Sequence, residues 1–104
     1  MLYEFRTYRL KTGAAPAYLK LVEEEGIAIQ KSYLGELVGY FTSEIGPLNE
    51  IVHIWAYPDL NERARRRAAL AADQRWQAFA PKIQALIETM ESKIMTPTTF
   101  SQLL

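Results

Sequence analysis

The sequence predicts an α+β domain of the ferredoxin-like type, β-α-β-β-α-β, with a four-stranded antiparallel sheet and its helices on one face. Three observations predict it. Strand-like and helical patterns alternate along the chain in that order. The turn cluster Gly46-Pro47-Leu48-Asn49 lies in the short connection between the two middle strands, which suits an antiparallel pair. The right-handed crossover of each β-α-β half then puts both helices on the same side of the sheet.

Each element has its own signal. Residues 2–10 carry Tyr3, Phe5, Thr7 and Tyr8, which suit a pleated surface. Lys11-Thr12-Gly13 turns the chain. Over 14–31, Ala15, Tyr18, Leu19, Val22, Gly26 and Ile29 recur at helical spacing, with Pro16 in the first turn, where its missing N–H costs little. Gly35 closes that segment. Residues 37–45 and 51–57 are the middle strands, and Pro58 stops the second. Asp59 and Glu62 have the spacing of an N-cap and its reciprocal partner, so a helix over 59–72 is expected. Asp73 caps a further short helix holding Trp76 and Phe79, which Pro81 should interrupt or kink. Residues 87–96 form the last strand, and an extended tail follows.

The composition narrows the functional classes. The chain has 104 residues, enough for one domain, and should bury only about 60–70% of the surface it exposes when unfolded. Lys plus Arg balances Asp plus Glu at 12 each, so the broad positive field that draws proteins to nucleic acid is missing. Without cysteine there is no disulfide, thiol nucleophile or thiolate metal site, which suits a reducing cytoplasmic setting. No apolar run approaches the ~20 residues of a membrane span, and no signal peptide is expected at the N-terminus.

Alternation along the strands divides the sheet into two faces. One set is nearly all apolar: Tyr3, Phe5, Thr7, Leu37, Gly39, Phe41, Val52, Ile54, Ala56, Met90 and Ile94. This is the face the helices are expected to cover. The other carries Glu4, Arg6, Tyr8, Val38, Tyr40, Thr42, Glu44, His53, Trp55, Tyr57, Glu91, Lys93 and Met95. Its mixture of charge and aromatics suits a protein interface. Trp55, His53, Tyr57 and Tyr40 are therefore the expected contact of a homodimer, two sheets packing face to face into a closed barrel.

The opening YEFRTYRLKTG, the stretch LVGYFTSEIGPLNEIVHIWAYPDLNERARRRAALAAD, the tryptophan of RWQAF and the tail LIETMESKIMTPTTFSQLL together resemble the NIPSNAP family. The most specific pieces are TSEIGPLN at 42–49, VHIWAY at 52–57, and Arg63 with Arg67 after Leu60. The resemblance spans nearly the whole chain and implies the dimeric α/β-barrel fold. Longer relatives carry two such domains and are linked to mitochondria and vesicle traffic, roles that do not carry over to one domain. Neighbouring families of the fold include cofactor-free monooxygenases, isomerases and haem-degrading enzymes, an analogy of fold rather than of site.

Two functional readings follow. The first is a small-molecule-binding or assembly module. Tyr18, Phe41, Trp76 and Phe79 would line a space for a small apolar ligand between sheet and helices, although aromatics at such spacings also fill cores. The alternative is a cofactor-independent enzyme, monooxygenase- or isomerase-like, on a small apolar or aromatic substrate. His53, the only histidine, with Arg6 and Tyr40 would supply its polar groups. His53 fits a structural hydrogen bond equally well. A lone histidine with scattered carboxylates makes no metal site, and no cofactor is implied. Glu44 and Asn49 read as turn chemistry or as a pocket rim. Arg63 and Arg67 share a helix face that is either solvated or able to hold an anion.

Overall fold

The computed structural model describes residues 1–103; Leu104, the end of the resembling tail, lies outside them. Leu2–Leu10 forms β1. The first helix has three parts: α1 (Ala15–Leu21), a π-helical turn at Val22–Gly26, and α2 (Ile27–Leu34). Strands β2 (Glu36–Thr42) and β3 (Glu50–Tyr57) follow, then α3 (Leu60–Ala72), α4 (Gln74–Gln84) and β4 (Ile87–Met95). The sheet order is β2-β3-β1-β4, and every neighbouring pair is antiparallel. This is the expected α+β, ferredoxin-like arrangement.

Local chemistry explains the boundaries. Pro16 sits in the first turn of α1. That helix reaches Leu34, beyond the expected end at 31, because its stop is Gly35, where φ is 90° and a side chain would be strained. Arg66 of α3 donates from Nη1 to the Leu34 carbonyl at 3.0 Å and satisfies part of that helix end. β2 stops at Thr42 rather than at Ile45. The chain turns through Gly46 to Asn49, whose φ of 65° an asparagine tolerates, and Asn49 Oδ1 accepts from the Gly13 N–H at 3.0 Å.

Asp59 caps α3 as expected, its Oδ1 accepting from the Glu62 N–H at 2.7 Å. The reciprocal half of the capping box is absent, because the Glu62 carboxylate is taken by Arg65 and Arg66. Asp73 caps α4 through the N–H groups of Arg75 and Trp76. Pro81 does not interrupt that helix, which runs through it to Gln84.

The two sheet faces are exchanged relative to the expectation for β1 and β3. Glu4, Arg6, Tyr8 and Leu10 of β1, with Ile51, His53, Trp55 and Tyr57 of β3, lie under the helices. All of these but Arg6 are buried, and they pack with Tyr18, Val22, Leu34, Leu70, Phe79 and Ile83. Phe5, Thr7, Val52 and Ile54 face the open side. On β4, Ile94 and Met90 pair with Glu4 and Tyr8 and so lie on the helix side as expected, but the helices leave both exposed. In β2 an irregularity between Leu37 and Gly39 shifts the register, so Leu37 pairs with Trp55 and Tyr40 with His53 on the covered face. Gly39 and Phe41 pair with Ile54 and Val52 on the open face.

Trp55, His53 and Tyr57, expected at a dimer contact, are therefore core residues with at most 1% exposure. Tyr40 joins them under the helices. The greater aliphatic content of the other set misdirects the assignment. Burial here is helped by partners for part of the polar set, Trp55 with His53 and Tyr40 with Tyr18, while His53 Nε2 and Tyr57 Oη have none among the described residues.

The π-helical turn has a packing role. A Cβ placed on Gly26 would lie 2.5 Å from the Phe79 ring of α4, so the ring packs directly on the helix backbone. Gly26→Ala should therefore lower stability by about 1–3 kcal/mol, although alanine is the better helix former. Denaturant unfolding of Gly26→Ala, Phe79→Leu and the double variant should show a double cost smaller than the sum of the two.

Candidate functional site

The site is built on one acid. Glu4 on β1 is fully buried, and α3 brings Arg63 and Arg67, one helical turn apart, onto it. Arg63 Nη2 donates to Glu4 Oε2 at 2.8 Å, and Arg6 Nη1 donates to the same oxygen at 2.9 Å. Arg63 Nε donates to Oε1 at 3.2 Å, and Ser92 Oγ of β4 adds a fourth hydrogen bond, to Oε2, at 2.6 Å. Arg67 Nη1 stands 4.0 Å from Oε1, an ion pair without a hydrogen bond. Burial alone would raise the Glu4 pKa. The hydrogen bonds from Arg63 and Ser92, with the charges of Arg6 and Arg67, overturn that and hold it down at about 2. Three guanidiniums thus share one carboxylate, and the cluster is net positive.

An aromatic chain leads away from this cluster. Arg6 Nε donates to Tyr8 Oη at 2.9 Å. The Tyr8 ring meets the His53 ring edge-on at 4.8 Å, and Tyr40 stacks on the other side of His53 at 4.5 Å. Tyr40 and Tyr18 share a hydrogen bond of 2.6 Å between their hydroxyls. Burial raises the pKa of both phenols, so both keep their protons. His53 Nδ1 accepts from Trp55 Nε1–H at 2.8 Å, which assigns the imidazole proton to Nε2, and that nitrogen has no partner among the described residues. Burial, then the positive charge of Arg6, push the His53 pKa down to about 3 against the opposing pull of Glu4. His53 is therefore a neutral ring with its basic nitrogen occupied.

Beside this cluster lies a cavity of about 180 Å³, bounded by both central strands and all the helices. Its polar lining includes Arg6, Tyr8 and Arg67, and its aromatic walls are Tyr18, Trp55 and Trp76. No acidic side chain lines it among the described residues. Of the sequence candidates, Arg6, Tyr18 and Trp76 line the cavity directly. Phe79 packs at 5.5 Å behind Trp76. Tyr40 and His53 stand behind Tyr8 and Tyr18 without lining it. Phe41 does not belong with this group. It is on the open face of the sheet and 55% exposed, because the shifted register of β2 turns it away from the helices.

Glu4 and Tyr8 are members of the site that the sequence reading did not single out, whereas Arg67 was named there with Arg63 as able to hold an anion. The signal was present in the opposite charges of Glu4 and Arg6 at alternate positions of one strand, matched by the Arg63–Arg67 pair. Among the described residues, no cluster of histidine and acidic side chains could hold a metal ion.

The family profile named NIPSNAP matches residues 3–102. The chain belongs to the NIPSNAP family. It is 38% identical to protein NipSnap homolog 3A of Homo sapiens over 90% of this chain and 38% of that protein. It is 36% identical to the NipSnap homolog of Dictyostelium discoideum over 92% of this chain and 42% of that one. This NIPSNAP chain thus spans well under half the length of these curated relatives.

Its fold matches a crystal structure from Agrobacterium tumefaciens, described as a NIPSNAP family protein with unknown function, at a TM-score of 0.98 and 69% identity over 100% of this chain and 94% of that one. A NIPSNAP-like domain protein from Burkholderia xenovorans follows at 0.95 and 47%, over 99% and 90% of the two chains. An antibiotic biosynthesis monooxygenase shares the fold alone, at a TM-score of 0.66 and 21% identity over 94% of this chain and 99% of that one. No helix among the described residues is long and apolar enough to cross a membrane.

The buried charges of this NIPSNAP site dictate an acid sensitivity. The unfolded chain protonates His53 near its ordinary value of 6.5 and the folded chain only near 3, so stability falls as pH drops through that window. The Glu4 contribution is complete above its ordinary value of 4.5 and is lost as pH falls toward 2. Between pH 6.5 and 4.5 the histidine acts without Glu4. Urea-unfolding free energies measured across that interval should decline in the wild type, and His53→Asn should flatten the decline.

Proposed function

We propose that this NIPSNAP chain is a homodimeric small-molecule-binding protein, with its ligand in the cavity between sheet and helices and its second copy on the opposite, open face of the sheet. The cavity carries the reading. It combines aromatic walls with a few convergent polar groups, the usual design of a ligand site, and its polar groups are positioned by the buried Glu4 cluster rather than by mobile loops. Arg67 and Met90, both partly exposed, give it a route to solvent. Catalysis led by His53 is not part of this reading, since Nδ1 is occupied and the ring does not line the cavity.

A second copy is supported by the open sheet face. Its centre is Phe5, Phe41, Val52 and Ile54, with Glu91 and Lys93 toward one edge. Phe41 lies over Gly39, where a Cβ would be 2.6 Å from its ring, so the ring lies along the strand rather than standing clear of it. An apolar centre with charges of both signs at the margin suits a self-complementary contact.

The ligand reading is tested by screening small aromatic and lipophilic compounds by thermal shift on wild type and Trp76→Ala. The expected result is a set of stabilising compounds whose effect Trp76→Ala abolishes while the protein still unfolds cooperatively. No stabilising compound, with Trp76→Ala losing the ~3–5 kcal/mol of a purely structural core aromatic, would reject it. For the dimer, sedimentation velocity should show two copies at micromolar concentration, burying on the order of 1,200–2,000 Å² in total. Phe41→Glu should give folded monomers. A monomeric wild type would refute the assembly.

A further inference from the structure

Resting on the ligand reading above, the geometry points to a specific chemical class: a single-ring aromatic carboxylate, held with its carboxylate on Arg6 and Arg67 and its ring between Trp55, Trp76 and Tyr18.

Charge is the first argument. The polar side of the cavity, Arg6, Tyr8, Gln30, Arg67 and Gln84, is positive, and its donors outnumber its acceptors. Arg6 reaches it from β1 and Arg67 from α3, and no acidic side chain answers them on the cavity wall among the described residues. Glu4, which lies behind them, already serves Arg6, Arg63 and Ser92 by hydrogen bonds. A guanidinium carries five N–H donors. Arg6 uses Nε on Tyr8 and one Nη1–H on Glu4, while Arg67 is 4.0 Å from Glu4 and spends none on it. Tyr8 accepts from Arg6 and keeps its own proton for another acceptor. A neutral, acceptor-free ligand would bury these donors without partners, at a cost comparable to lost hydrogen bonds. A planar carboxylate fits them, because its two oxygens match the fork of a guanidinium.

Size is the second argument. An apolar cavity of about 150 Å³ takes one benzene ring. This cavity, at about 180 Å³, has room for one ring and a small substituent. The walls suit a ring as well. Trp55 is immobilised by its bond to His53, and Trp76 leans on Phe79 at 5.5 Å. Both indoles thus present fixed flat surfaces rather than freely rotating ones.

The position of the charges is the third argument. Arg6 is held from two sides, by Glu4 and by Tyr8, so it meets a ligand without first giving up a choice of rotamers. Arg67 is the less constrained of the two and partly exposed, placed to meet an anion on its way in.

The test is isothermal titration of the purified protein with three probes: benzoate, benzyl alcohol (the same ring without charge) and acetate (the carboxylate without the ring). Benzoate should bind on the order of tenfold or more tightly than either of the others, as expected for charge-assisted hydrogen bonds added to ring burial. Added salt should weaken benzoate and leave benzyl alcohol unchanged. Arg67→Met should remove the preference for benzoate while keeping the melting temperature, since Arg67 makes no hydrogen bond to Glu4. Should it lower the melting temperature, Arg67→Lys keeps the charge and removes the fork. It should weaken benzoate more than acetate. Benzyl alcohol binding as well as benzoate would overturn the assignment of charge and leave the cavity as a ligand site. Acetate matching benzoate would overturn the ring. Failure of all three to bind would overturn this inference and the ligand reading together.

Discussion

A carboxylate without access to water organises this molecule. Glu4 is fully buried, and a buried charge is tolerated only when paired and hydrogen-bonded. Its partners come from three separate elements: Arg6 from its own strand, Arg63 and Arg67 from α3, and Ser92 from the edge strand β4. Meeting that one acid fixes how α3 crosses β1 and in which register β4 joins the sheet. The consequences spread further. Arg6, anchored on Glu4, orients Tyr8; Tyr8 meets His53; and His53 holds Trp55, which forms one wall of the cavity. These contacts couple the aromatic cavity to the buried ion cluster, so the two belong to one construction.

Element order and type were legible from pattern alone. The caps at Asp59 and Asp73 and the stop at Gly35 follow from side-chain and backbone chemistry that acts within a few residues. The face of the sheet was not legible in that way. Phe5, Val52 and Ile54 look like a core and lie on the open side, whereas Glu4, Arg6 and His53 look like a surface and lie beneath the helices. Alternation separates two sets of side chains without saying which one is covered. Deciding needs to know that Arg63 and Arg67, some sixty positions away, arrive opposite Glu4. Both faces of this sheet carry large apolar side chains, so the ordinary contrast between a dry face and a wet face is weak here.

The site was legible in part for the same reason. Tyr18, Trp76 and Arg6 were recognisable by type and lie together around the cavity. Phe41 was grouped with them on the assumption of unbroken alternation in β2, which the irregular pairing at Val38 defeats. His53 drew attention as the only histidine, yet its surroundings make it a neutral hydrogen-bond acceptor for an indole. Its environment, rather than its identity, settles its chemistry. Arg67, paired in sequence with Arg63 as a possible holder of an anion, stands in a run of arginines divided between two acids: Arg63 and Arg67 on Glu4, Arg65 and Arg66 on Glu62, with Arg66 also on the Leu34 carbonyl.

The irregularity at Val38 also bears on chain length. β2 contains one residue more than β3 requires between Leu37 and Gly39, and that surplus places Leu37 and Tyr40 on the same side although an odd number of steps separates them. A relative lacking Val38 would pair without the irregularity, and Tyr40 and Phe41 would keep their places opposite His53 and Val52. A strand of the present length that paired regularly would instead set Val38 opposite Ile54 and exchange the sides of Tyr40 and Phe41. The phenol would then leave Tyr18 and His53. A gap of one position at this point in an alignment is therefore absorbed by the pairing, and two relatives of different length can share one site.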